Sequence, residues 1–140
     1  MSQFILDDQL DVATVLQPLQ EWTTAQRIRE LRPGQRVLDE RIPAILLTLR
    51  QPTFLTIDRD FWHSSWCHPA YCLVYFALRA DEQGQIPALL RALLRRPEFR
   101  SRTARMGKLA RVSTISIDFW QHPPGRPHHI SWRGPSRRRG

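Results

Sequence analysis

Phe54-Leu55-Thr56-Ile57-Asp58-Arg59-Asp60-Phe61-Trp62 is the stretch on which the fold turns. An apolar, β-prone run ends in two carboxylates one residue apart, and two aromatics follow. Open α/β sheets place ligands and chemistry where a buried strand delivers acids at its C-terminal end. Along an extended chain Asp58 and Asp60 point to the same side, because side chains alternate with period two. Two such carboxylates repel, and need a cation, a proton or a basic partner. The competing reading is an ordinary strand end followed by a turn, with Asp bonding locally. The other acids of the chain decide between them.

Those acids recur beside similar runs. Phe4-Ile5-Leu6 reads as a short strand that ends at Asp7-Asp8. Gln9 to Leu19 has apolar residues near helical spacing, with Asp7 or Asp8 as N-cap and Pro18 ending or kinking the helix. A cap needs one acid, which leaves the second for chemistry. Glu21 to Thr24 reads as a short second strand, and Thr24 as the cap of a helix over Ala25 to Leu31, closed by Arg32-Pro33-Gly34. Asp39 and Glu40 suit the first turn of a helix through Leu49, where Pro43 is tolerated. Gln51-Pro52 breaks it, and a strand over Thr53 to Ile57 follows.

Beyond Trp62, two Cys and two His fall between His63 and Cys72, but their spacing does not match a zinc finger or knuckle. Cys72 to Leu78 reads as a fully buried strand, its cysteine a small core residue. Ile86 to Leu94 marks an amphipathic helix with Arg91, Arg95 and Arg96 on its other face, ended by Pro97. Ala110 to Trp120 roughly alternates and predicts one or two strands at the sheet edge. From Gln121 the composition shifts to Pro, Gly, His and Arg, which predicts a mobile basic tail over 121–140 after a domain over 1–120.

A chain of 140 residues that is 41% hydrophobic suits one domain with a substantial core. It has no run of 18 apolar residues, so no membrane span is expected. Met1-Ser2-Gln3-Phe4 does not begin a signal peptide, and two cysteines fit a reducing compartment, so a cytoplasmic protein is expected. The formal charge is +8, and 20 of the 21 basic residues are arginine. High genomic GC content would favour arginine without any function. It explains less well why most acids lie in the first 60 residues while Arg91 to Arg111 is strongly basic. An acidic centre in a basic protein suits an enzyme that holds metal and binds a polyanion.

If the acid-bearing strands are parallel neighbours, Asp7, Asp8, Asp39, Glu40, Asp58 and Asp60 approach one crevice. Hard divalent cations with oxygen ligands, Mg2+ or Mn2+, are the natural partners, and no EF-hand-like loop argues for Ca2+. Such an ion lowers the pKa of water and offsets charge in a phosphoryl displacement. The basic set, Arg59, Arg95, Arg96, Arg100, Arg102, Arg105 and Lys108, would hold a nucleic-acid backbone.

Three segments, Phe4-Ile5-Leu6-Asp7-Asp8-Gln9-Leu10, Leu38-Asp39-Glu40-Arg41-Ile42-Pro43 and Thr56-Ile57-Asp58-Arg59-Asp60-Phe61, resemble the PIN-like family over about residues 3 to 120. Its short bacterial members include ribonuclease toxins of toxin–antitoxin pairs. The third segment is fairly specific; the first two are weak singly but stand in the right order. The resemblance implies a three-layer α/β/α sandwich with a mainly parallel sheet and Mg2+- or Mn2+-dependent RNA cleavage. By position it implies Asp7 as the first-strand metal ligand and Asp39 as the helix acid, with Glu40 its nearest substitute. Asp58 completes the metal shell, and Asp60 supports it or serves a second metal. Asp8 stands where these toxins often have Glu, so either Asp7 or Asp8 leads. The chain departs in offering no His or Lys placed as an extra base. Other readings are a catalytically silent PIN-like module that binds RNA or protein, and a DNA-directed nuclease. The apolar faces of the first helices would pair in a homodimer or with an antitoxin.

Overall fold

Short apolar runs with no polar alternation form strands covered on both faces, as in parallel sheets. A computed structural model describes residues 2–132. Its strands are β1 (Phe4–Leu6), β2 (Ala25–Arg27), β3 (Thr53–Thr56), β4 (Cys72–Phe76), β5 (Lys108–Val112), β6 (Ser116–Gln121) and β7 (His128–Ser131). Every residue of β1, β3 and β4 is buried. The helices are α1 (Gln17–Gln20), α2 (Ile42–Leu46), α3 (Ile86–Leu94) and α4 (Arg102–Arg105).

Alternation along the strands builds two cores. Ile5, Phe54, Leu73 and Leu109 lie side by side across β1, β3, β4 and β5, and join Ile42, Ile45 and Leu46 of α2. Phe4, Leu6, Leu55, Val74, Phe76, Ala110 and Val112 join Leu19 of α1 and Ile86, Leu90 and Leu93 of α3 in the other core. A buried Phe or Leu in such a place is worth ~2–5 kcal/mol against Ala.

The sheet order is β2-β1-β3-β4-β5-β6-β7. The first five strands are parallel; β6 runs against them, and β7, antiparallel to β6, runs with them. The chain leaves β1 for one side, then crosses to place β3 on the other. The order therefore reverses at β1, and the β1/β3 boundary is the switch point where a crevice opens beyond the strand ends. Asp7 and Asp58 lie just past those two ends.

Several expectations are corrected. The second strand is Ala25–Arg27, not Glu21 to Thr24, because Trp22 and Thr23 N–H groups still bond to Leu19 O and finish the helix. Thr24 instead runs beside β1, accepting from Phe4 N at 3.2 Å, and a 3-10 turn Ile28–Leu31 follows β2. The first helix opens after Asp11 as a π turn, Val12–Leu16, and continues through Pro18. Proline cannot donate to the carbonyl four residues back and its ring crowds that carbonyl; the widened turn before it relieves both. Neither Asp7 nor Asp8 caps this helix, so both are free for other partners.

Further on, β5 is internal, flanked by β4 and β6, rather than at the sheet edge. Residues 121–132 belong to the sheet rather than to a tail: β6 reaches Gln121 and β7 pairs with it. Ile130 packs on the core that holds Phe4, Leu6 and Val74, and Trp132 Nε1 donates to Ser113 O at 2.6 Å. The rest of the expected tail, residues 133–140, lies outside the described residues. Among the described residues no helix is long and apolar enough to cross a membrane.

Candidate functional site

Asp7 is tied to β3 by both backbone and side chain. Its N–H donates to Leu55 O at 2.9 Å, carrying the parallel ladder one residue past β1. Its carboxyl group is buried, with the residue 7% exposed, and Oδ2 accepts from Thr56 Oγ1 at 2.7 Å. Thr56 ends β3, fully buried, and its Oγ1 accepts from Asp58 N at 2.9 Å. One hydroxyl thus links the two acid-bearing strand ends: it accepts from the Asp58 backbone and donates to the Asp7 carboxylate. Asp58 Oδ1 then accepts from Asp60 N at 2.9 Å and opens the 3-10 turn Arg59–Phe61. Phe61 anchors that turn, packed 5.5 Å from Phe54 and 4.6 Å from Trp66, centroid to centroid.

Asp39 and Glu40 begin the 3-10 turn Asp39–Arg41 that runs into α2, as carboxylates at a helix start favour. Both are exposed. Asp39 nevertheless shares the field of the strand-end acids. Burial first, and then the charges of Asp39 and Asp58, push the Asp7 pKa up; hydrogen bonds from Thr56 and the Asp8 backbone partly offset this. For Asp39, burial and the charges of Asp58, Glu40 and Asp60 act in the same upward direction. Asp7, Asp39, Asp58 and Asp60 therefore form one electrostatic neighbourhood, with Glu40 at its border. Asp8 turns away to an ion pair with Arg29, at 3.2 Å. It lines a separate cleft of about 790 Å3 with Arg29, Glu30, Gly34 and Arg36.

Among the described residues no three Asp, Glu, His or Cys side chains are drawn into a chelating group. The donor set nonetheless fits a hard divalent ion in kind: carboxylate oxygens only, with Asp7 and Asp39 raised in pKa by burial and then by neighbouring carboxylates, so a shared cation would offset that repulsion. Asp7, Asp39 and Asp58 are the residues that would hold it.

The predicted basic face lies elsewhere. α3 carries the chain back from the end of β4, so its C-terminus and the loop into β5 sit at the opposite edge of the sheet. Arg102 Nη2 donates to Arg50 O ahead of β3, and Arg105 Nε donates to Thr53 Oγ1 at its first residue. Arg105 is corrected as a nucleic-acid contact. It is 2% exposed, its guanidinium spent on Thr53, Phe99 O, Arg100 O and Gln3, with its face over the Phe4 ring. Burial pushes its pKa down. Lys108 Nζ is likewise engaged, by Ala104 O and Gln121 Oε1, each at 2.7 Å. Arg95 and Arg100 are exposed, while Arg96 and Arg102 are half-buried. Of the predicted basic set, Arg59 alone stands beside the acids.

Thr56 was given no site role from sequence, nor were Trp62, Tyr75 and Arg111, which line a cleft with Arg59. The signal for Thr56 was its place two residues before Asp58 at a buried strand end. The fold and site define an α/β protein with a mostly parallel sheet and an acidic crevice at its switch point. No family model, curated protein or solved structure matches the chain.

Proposed function

We propose that the protein is a PIN-like, Mg2+- or Mn2+-dependent endoribonuclease that acts as the toxin of a toxin–antitoxin pair. The observation that carries this reading is the chain from Asp58 N–H through Thr56 to the Asp7 carboxylate, within the field of Asp39, at the β1/β3 switch point. Capping does not account for a buried carboxylate there. Helices on both faces of the sheet support a three-layer α/β/α sandwich of the PIN-like kind. In this reading Asp7, Asp39 and Asp58 hold the ion, and Asp60 steadies Asp58 through its N–H. The bound ion supplies a Lewis acid that lowers the pKa of water and offsets charge on the phosphodiester. Thr56 fixes which Asp7 oxygen stays available, since Oδ2 is committed to its hydroxyl. Leu38, 43% exposed, lines a groove of about 480 Å3 with Arg32, Arg36 and Arg41; an antitoxin segment of acidic and apolar character would dock there.

One observation favours a second reading, a catalytically silent PIN-like module that binds RNA or protein. It is that no three carboxylates converge to chelating distance among the described residues.

The deciding experiment is cleavage of a mixed, structured RNA with Mn2+, Mg2+ or EDTA, by wild type and by Asp58→Ala, both confirmed folded. The proposed activity needs the metal and falls at least ~100-fold in the variant. Equal cleavage by both proteins assigns the activity to another site. No cleavage by either, beside salt-sensitive RNA binding, favours the silent module.

A further inference from the structure

A second row of polar side chains crosses the same end of the sheet. Thr56 of β3, Tyr75 of β4, Arg111 of β5, Asp118 of β6 and His129 of β7 are successive register partners. In β3, β4 and β5 they follow Phe54, Leu73 and Leu109 by two residues, so they share the sheet face of that core. Above them opens a cleft of about 390 Å3, lined by Arg59, Trp62, Tyr75 and Arg111.

Its walls are held in place. Arg111 Nη1 donates to Asp118 Oδ2 at 3.3 Å, and the other Asp118 oxygen meets His129 Nδ1 at 2.6 Å. The Trp62 ring stacks on Trp120, with centroids 4.3 Å apart and planes 29° apart. Arg59 is exposed and directly follows Asp58. Among the described residues the lining carries two guanidiniums, a phenol and an indole, and no carboxylate. The cleft thus presents donors, with the Arg111 charge partly offset by Asp118 behind it, where the crevice one or two strands away presents carboxylates.

We infer that this cleft binds a single-stranded RNA through one phosphate and one unstacked base, at a nucleotide neighbouring the bond that the acid cluster cleaves. The position of that bond rests on the nuclease reading above; the binding does not. Arg59, and the Arg111 nitrogens not given to Asp118, offer phosphate oxygens planar donors that lysine cannot reproduce. A fixed indole offers a face for a base, the combination by which single strands are gripped without sequence readout. The volume takes a phosphate and a base, not a double helix. Neighbouring strands are ~4.8 Å apart, so β5 lies ~10 Å from β3, within reach of an adjoining nucleotide.

The test is binding of a labelled hexaribonucleotide, single-stranded or in duplex, in EDTA, so that cleavage plays no part. Wild type is compared with Arg59→Gln, Arg111→Gln, Arg111→Lys and Trp62→Leu, each checked by circular dichroism. The single strand binds wild type more tightly than the duplex does. Arg59→Gln and Arg111→Gln each weaken it about tenfold. Arg111→Lys, which keeps the charge and the strand, still weakens it several-fold. Trp62→Leu weakens it about tenfold for the lost base stack. Unchanged affinity in both glutamine variants overturns the proposal, and so does equal affinity for the duplex. If these variants lose binding while no form of the protein cleaves RNA with Mn2+, the cleft stands and the nuclease reading falls.

Discussion

Asp7 is a carboxylate whose folded-state pKa lies above its ordinary value, chiefly because it is buried. The folded protein therefore holds this proton more tightly than the unfolded chain does. Its contribution to stability is fully present below about pH 3.8 and is lost as pH climbs through the folded-state pKa. Asp7→Asn keeps an oxygen for the Thr56 hydroxyl and removes the charge. The variant is expected to melt about 2–4 °C above wild type at pH 7, the response of a chain this size to ~1 kcal/mol. The gap closes as both are acidified toward pH 4. A variant less stable than wild type at neutral pH would show that the charge is satisfied by contacts other than those described. Asp7 and Asp58 were legible in the sequence because each follows an apolar run. Thr56 was not, since threonine is common in strands for its branched Cβ. Arg105 was misjudged for a related reason: letters do not distinguish a guanidinium in water from one buried under Phe4.

Strand existence was largely legible, while helix detail and strand edges were not. Runs such as Cys72 to Phe76 have no competing reading when bounded by breakers and too short for a helix. The first helix misled because a π turn adds a residue to one turn and shifts every later side chain around the axis. β7 was hidden because His128, His129 and Ser131 carry little apolar signal; only Ile130 and Trp132 pack inward. Truncation tests how much β7 adds. A chain ending at Gln121 loses the β6–β7 pairing, the Ile130 contact and the Trp132–Ser113 hydrogen bond. We expect it to lose about 2 kcal/mol or more, read as a lower midpoint in urea. An unchanged midpoint would mean that β7 contributes nothing to the cooperative unit.

Across the whole molecule, charge segregation was visible as blocks in the sequence, but its direction was not. The basic set was expected to hold a nucleic-acid backbone, with no end of the sheet assigned to it. Parallel topology sends each helix back to the start of the next strand, and so separates the Arg95–Lys108 block from the crevice by the length of the sheet. Long and short RNA should thus report on different edges. Arg95→Glu with Arg100→Glu is expected to weaken binding of a long RNA and flatten its salt dependence, by ~0.7 in log–log slope per lost phosphate contact. The hexamer in the cleft should be unaffected. Equal loss for both lengths would mean that the two edges act as one surface. Past the strand C-termini the acidic crevice and the guanidinium-lined cleft stand side by side, while the exposed Arg95 and Arg100 lie toward the strand N-termini. An extended polyanion thus meets positive charge at both ends of the strands. Only at the C-terminal end does that charge adjoin carboxylates, so the same polyanion can be held at one end without ever meeting the acids, and the salt dependence of binding need not track that of cleavage.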